Sequence, residues 1–126
     1  MNNIDVRIVE TKKDLKDFLN FPWKVYKNNP YWVPPLIKEV KDLLDTQKHP
    51  FWKHAKRELF LARKNGEVVG RIAAIVDDNH NSFHQEKTGF FGFFEVLKDY
   101  SAAEALFSTA KRRCQMEGME ILRGPV

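Results

Sequence analysis

Residues 65–73 read Asn65-Gly66-Glu67-Val68-Val69-Gly70-Arg71-Ile72-Ala73, and this stretch decides the fold. Asn-Gly is the dipeptide favoured by a two-residue hairpin turn, because both central positions need positive φ. Leu59-Phe60-Leu61-Ala62 precedes the turn, and Val68 to Val76 follows it as a nearly unbroken apolar run. The two segments read as a β-hairpin. Its return strand is apolar on both sides and so belongs in the middle of a sheet.

Upstream of the hairpin, Val6-Arg7-Ile8-Val9 is short and β-branched and reads as a first strand. Thr11 stands where a helix N-cap belongs, ahead of Leu15, Phe18 and Leu19 at the i, i+3, i+4 spacing of one apolar stripe. Phe21-Pro22-Trp23 is expected to kink this helix or to start another, and Asn28-Asn29-Pro30 stops it. Tyr31-Trp32-Val33-Pro34-Pro35 reads as an extended connector, since a proline keeps its preceding residue out of the helical region. Leu36, Ile37, Val40, Leu43 and Leu44 then mark a second helix ending near residues 45–48, and 49–57 is a basic, aromatic loop or short helix.

Downstream, Asp77 to Thr88 is polar and is expected to be an exposed loop. Gly89 to Val96 reads as a strand whose glycines mark a bulge or a close backbone approach. Phe90, Phe91, Phe93 and Phe94 are core residues on one or both sheet faces. Asp99 or Ser101 caps a helix with Ala102, Ala105, Leu106, Ala110 and Cys114 on one face, and Gly118 closes it. Glu120-Ile121-Leu122-Arg123 begins a last strand. The elements describe one α+β domain over residues 1–126, with a mixed, mostly antiparallel sheet flanked by helices.

Composition bounds the function. In 126 residues, 43% hydrophobic and 30% charged side chains match a folded globular chain rather than a disordered one. No apolar run approaches the roughly 20 residues of a membrane span, so no membrane is expected as a partner. Met1-Asn2-Asn3-Ile4-Asp5 lacks the basic-then-apolar pattern of a signal peptide, and the single cysteine, Cys114, forms no internal disulfide. These features point to a reducing cytoplasm. Residues 1–63 carry 13 basic and 8 acidic side chains, whereas residues 64–126 carry 8 and 9. The basic first half is compatible with an anionic partner and equally with a solvated surface.

Three groups of residues invite chemistry. His80 and His84 have the i, i+4 spacing of metal ligands on a helix, but no cysteine pair or HExxH pattern accompanies them, and no metal site is expected. Trp52-Lys53-His54-Ala55-Lys56-Arg57 interleaves rings and cations as single-strand nucleic-acid sites do, yet no nucleic-acid-binding signature supports it, and a packed junction with exposed lysines is the reading preferred. Lys98-Asp99-Tyr100-Ser101-Ala102-Ala103 joins a strand to a helix, where unpaired N–H groups suit a phosphate, although Asp99 puts negative charge there.

Taken together, residues 65–73 resemble the second-to-third strand hairpin of the GNAT superfamily of N-acetyltransferases, where G-x-x-V-G recurs. Gly89 to Val96 resembles that family's fourth strand, and Lys98 to Ala103 falls where the family has Q/R-x-x-G-x-G/A. The resemblance covers about residues 4–126. It implies acyl-CoA-dependent acyl transfer, with acetyl-CoA or another acyl-CoA as cofactor and a small-molecule or protein amine as acceptor. By position, Phe94, Glu95 and Val96 would be the strand contacts to the cofactor, and Lys98, Ser101, Ala102 and Ala103 the loop contacts. Ser101 replaces a glycine of the family pattern. Glu95, the one carboxylate on that strand, is the candidate general base, its alternative being a solvent-facing residue at a strand end.

The family fold continues past its fifth strand, so the resemblance implies a fragment truncated after that strand and inactive in isolation. A homodimer would be one way to cover the open sheet edge. The competing class is a non-catalytic GNAT-like module that binds a protein or nucleic acid through the basic first half, Lys53, Lys56 and Arg57 included.

Overall fold

The computed structural model describes residues 3–126; Met1 and Asn2, the start of the stretch read above against a signal peptide, lie outside them. Among the described residues the chain runs β1 (Ile4–Ile8), α1 (Lys12–Tyr26), α2 (Ile37–Leu44), a 3-10 turn (Pro50–Lys53), β2 (Ala55–Lys64), β3 (Glu67–Asp77), α3 (Asp78–His84), β4 (Thr88–Val96), α4 (Tyr100–Met116) and β5 (Ile121–Arg123). The strands form one sheet in the order β1-β2-β3-β4-β5. All neighbours are antiparallel except β4 and β5, which are parallel and joined through α4. This is the α+β, mixed and mostly antiparallel architecture expected from the sequence.

The hairpin forms as read. Asn65 and Gly66 both take positive φ, 53° and 82°, as their turn requires. β3 is central, with Val69, Ile72, Ala73 and Ala74 buried. β1 begins two residues earlier than expected, because Ile4, Val6 and Ile8 alternate cleanly inward while Asp5 and Arg7 face out. The segment expected as a loop at 77–88 contains α3. The Asp77 carboxylate accepts from the N–H groups of Asn79 and His80, and Gln85 at φ 53° ends the turn, so local capping builds a helix with no buried face.

Each sheet face carries its own core. On one face α4 lays Ala102, Leu106, Ala110 and Cys114 against Phe60, Ile72, Ala74 and Phe91. The glycines of the sheet set how close α4 comes. A Cβ on Gly70 would sit 2.7 Å from Leu106 Cδ1, and one on Gly89 would sit 2.5 Å from Cys114 Sγ. The second glycine of G-x-x-V-G is therefore a close-approach glycine. On the other face, Phe18 and Leu19 of α1 and Leu44 of α2 pack on Leu59, Leu61 and Ala73. Thr11 caps α1 in a reciprocal capping box with Asp14.

Candidate functional site

Pro22 starts the local chain of causes. It lies inside α1, is buried, and has no N–H, so the carbonyl of Phe18 four residues back lacks its helical donor. α1 does not break at Pro22, as the sequence left open. Instead Arg71 of β3 reaches across and its Nη1 donates to that carbonyl at 2.8 Å. The guanidinium lies over the rings of Phe18 and Phe93, 5.0 and 5.4 Å from their centroids, which suits a weakly hydrated planar cation. Its Nη2 donates to Glu95 Oε1 of β4 at 2.5 Å. Arg71 is 5% exposed, and among the described residues its Nε has no hydrogen-bond partner. Burial draws the guanidinium pKa down, opposed by the Glu95 charge.

Glu95 thus does not point freely into solvent at a strand end, the alternative weighed from the sequence. It is a half-buried ion-pair partner opposite Arg71 in the β3–β4 register. Tyr26, at the end of α1, lies near the same carboxylate, whose hydrogen-bonding pull on the phenol, with its charge and burial, raises the phenol's pKa. The cluster Arg71–Glu95–Tyr26 gathers β3, β4 and the end of α1 at one place. Sequence reading singled out Glu95 and missed the other two. A lone arginine inside an apolar central strand was the available signal, because such a charge is buried only when paired.

Beside this cluster β4 is bulged. Arg71 faces Glu95 and Ala73 faces Gly92, so Phe93 and Phe94 both stand opposite Ile72. Phe93 takes φ 48°, a left-handed backbone that aromatic residues seldom adopt. The bulge expected from the glycines is present, but its strained residue is Phe93. β5 pairs only with Thr88, Gly89 and Phe90, and Val126 N–H reaches the Phe91 carbonyl. From Phe93 to Val96 the outer edge of β4 has no strand partner among the described residues. A bulge and an open strand edge together present N–H and C=O groups to an extended, amide-bearing ligand.

The loop residues divide. Lys98 and Ser101 are exposed, whereas Ala102 is fully buried on the inner face of α4 and Ala103 is partly buried. Asp99 is the N-cap, and its carboxylate accepts from Ala102 N–H at 3.1 Å and pairs with Lys64 at 3.3 Å. Its pKa is held below the usual range chiefly by the Ala102 N–H. The helix start, which in the resemblance would hold a diphosphate, already holds this chain's own anion. The residues present therefore fit the amide-bearing arm of an acyl-CoA along β4, and fit its diphosphate only in competition with Asp99.

The remaining candidates are structural here. His80 and His84 do lie on one helix, with rings 4.4 Å apart, but His80 is bound to Glu86 at 2.6 Å. No group of three metal-ligating side chains occurs among the described residues. Cys114 is buried, and burial pushes its thiol pKa up. In the basic segment, Arg57 donates twice to the Leu44 carbonyl, Lys56 pairs with Glu117, and Trp52 packs in the core under α2. Only Lys53 of its three cations stays free among the described residues.

Known proteins share this fold. No family model matches the chain. It is 35% identical over 120 residues to "Protein YghO" of Escherichia coli (strain K12), covering 95% of this chain and 30% of that protein. It is 32% identical over 126 residues to a "Bacterial ceramide synthase" of Caulobacter vibrioides, covering 98% and 33%. The chain thus spans about a third of the length of these curated relatives. Among solved structures, a tandem GNAT protein from the clavulanic acid biosynthesis pathway matches with TM-score 0.73 at 15% identity, over 94% of this chain and 35% of that one. A GNAT family acetyltransferase from Brucella melitensis, in complex with acetyl-CoA, matches with TM-score 0.64 at 14% identity, over 100% and 79%. The chain has the fold of the GNAT superfamily.

Proposed function

We propose that this chain is the donor-binding part of an acyl-CoA-dependent N-acyltransferase, with the open, bulged edge of β4 as the seat of the donor. That edge is the observation that carries the reading. In this reading an acyl-CoA supplies an activated acyl thioester. Backbone groups of Phe94, Glu95 and Val96 hold its amide-bearing arm as an added strand does. Lys98 and Ser101 lie on the side of its phosphates, with Ala102 and Ala103 shaping the turn. N–H groups at the bulge are suited to donate to the carbonyl oxygen as charge develops there.

Glu95 is the proposed base. It takes a proton from the acceptor ammonium; the free amine then forms the N–C bond as the C–S bond breaks, and the second proton shed by that nitrogen passes to the departing sulfur, so that an amide and a free thiol result. Arg71 holds the carboxylate in place, and Tyr26 lies near it. The acceptor is proposed to be a primary amine on a small, lipid-like molecule. The likeness to a protein named for ceramide synthesis supports this, since a ceramide is an N-acylated long-chain amino alcohol. Part of the same proposal is that further chain or a second copy covers the outer edge of β5 in the active protein, that this takes place in the cytoplasm, and that residues 1–126 alone turn over little.

Calorimetric titration tests the reading. Acetyl-CoA and a long-chain acyl-CoA are titrated into the chain, with ATP as the control for loose attraction of phosphate to basic charge. Saturable binding of an acyl-CoA but not of ATP is expected. Equal, weak binding of all three rejects the donor site.

A further inference from the structure

α1 and α2 leave a groove between them. Leu15, Leu19 and Ile37 form its apolar floor, and Lys12, Lys16 and Lys41 stand around it, enclosing about 480 Å³. None of these three lysines makes an ion pair among the described residues. The carboxylates of the same helices are engaged elsewhere: Asp14 and Asp17 bind Arg63, and Asp42 lies by Lys48. Glu39, with the exposed Lys38 beside it on α2, and Asp45 at the C-cap of α2, which lines the adjoining cavity with Lys41 and Leu15, offset them only in part. The groove thus pairs partly exposed apolar surface, Leu15 and Ile37, with three lysines that lack ion-pair partners among the described residues.

The chain leading into the groove adds to it. In the connector Val33-Pro34-Pro35-Leu36, which ends at Ile37, Val33 is 83% exposed and Leu36 66%. Two prolines hold this segment stiff, so the two apolar side chains are presented without a large loss of freedom on contact. Exposed apolar residues beside clustered lysines mark an interaction surface, and the combination matches the boundary of an anionic bilayer: alkyl below, phosphate above. Nucleic acid would be drawn by the lysines but has no use for Val33 and Leu36.

We propose that the α1–α2 groove, with Val33 and Leu36, docks this chain peripherally on an anionic lipid bilayer. The absence of a membrane-spanning pattern, from which no membrane partner was expected, concerns insertion across a bilayer; docking on its surface needs only a basic, partly apolar face. The inference goes beyond acyl transfer and does not require it.

Vesicle flotation of the whole chain, with no acyl donor present, tests it. Vesicles of phosphatidylcholine are compared with vesicles that also contain phosphatidylglycerol. The chain is expected to float with the anionic vesicles only, and less so as salt rises. The triple variant Lys12→Ala/Lys16→Ala/Lys41→Ala is expected to bind roughly 100-fold more weakly, from the attraction each lysine feels near an anionic leaflet. Val33→Asp/Leu36→Asp is expected to abolish the binding that survives in high salt. These side chains are exposed, and unchanged circular dichroism of each variant confirms that the fold is intact.

Absence of flotation, or equal flotation with neutral vesicles, overturns the proposal. So does equal flotation by the lysine variant. Salt-sensitive binding of a DNA oligonucleotide without vesicle binding would reassign the lysines to nucleic acid. Binding of monomeric dodecanoate in place of vesicles, lost in the lysine variant, would make the groove a single-ligand site. Because no donor is present, failure here leaves the acyl-transfer reading untouched, and failure to bind acyl-CoA leaves this one untouched.

Discussion

Arg71 and Glu95 are expected to be strongly coupled, and a double-mutant cycle measures by how much. Glu95→Gln leaves a guanidinium that is 5% exposed without its counter-charge. Removing one partner of a buried ion pair costs about 3 kcal/mol or more. Glu95 has 18% of its side chain exposed, which lets some water in and keeps the expected cost near the lower end, about 3 kcal/mol. Arg71→Met removes the charge but leaves the Phe18 carbonyl, which Pro22 cannot serve, without a donor; one unsatisfied buried acceptor costs about 2 kcal/mol. With both changes no unpaired charge remains. The double variant should be little worse than Arg71→Met, giving a coupling of about 2–3 kcal/mol. Urea unfolding followed by circular dichroism reads all four proteins, and Glu95→Gln should lower Tm by roughly 10 °C for a chain of this size. Additivity within about 0.5 kcal/mol would show that the two side chains act independently and would refute the cluster as an energetic unit.

Other consequences follow from single contacts. Gly89→Ala would bring a methyl to 2.5 Å from Cys114 Sγ and 2.8 Å from its Cβ, so a loss of about 2–3 kcal/mol is expected. Adding Cys114→Ala should restore only part of this stability in thermal melts, because the Cβ remains. Asp14 is held below the usual carboxylate pKa first by the Glu10 N–H, so its ionised form is favoured by folding. Asp14→Asn should therefore cost about 1 kcal/mol at neutral pH. The difference from the parent should vanish as the pH falls through roughly 4 and below, where Asp14 itself becomes neutral; unfolding curves across that range check it. Asp99→Asn keeps a capping side chain while removing the anion at the start of α4. It should tighten acyl-CoA binding several-fold by titration, and unchanged affinity would mean that the diphosphate lies elsewhere.

Local chemistry made much of the fold legible. Asn65-Gly66 admits few alternatives to a tight hairpin, and the stripe Ala102, Leu106, Ala110, Cys114 has one face to bury. The family resemblance rested on the same stretch, and the fold bears it out. α3 was hidden because its one apolar side chain, Phe83, is exposed and forms no stripe; the helix is held by its Asp77 cap and buries no residue. Of the two readings of the β4 glycines, the close approach holds at Gly89, whereas the bulge falls at Phe93, since its position depends on how β4 must shift against β3. The site was half legible for a related reason. Glu95 stood out as the one carboxylate on β4, but its partners come from residues 24 and 69 positions away in sequence, Arg71 and Tyr26. What recruits Arg71 is a missing N–H at Pro22, an absence that matters only once α1 lies on the sheet.

Hydrogen–deuterium exchange of this chain with and without a long-chain acyl-CoA tests the central claim most directly. The N–H groups of Phe93 to Val96 have an open outer edge, and a donor lying along β4 would pair with them. Slowed exchange confined to this stretch and to the 98–103 turn, absent with ATP, is the result the account requires. Protection elsewhere, or none at saturating acyl-CoA, would contradict it.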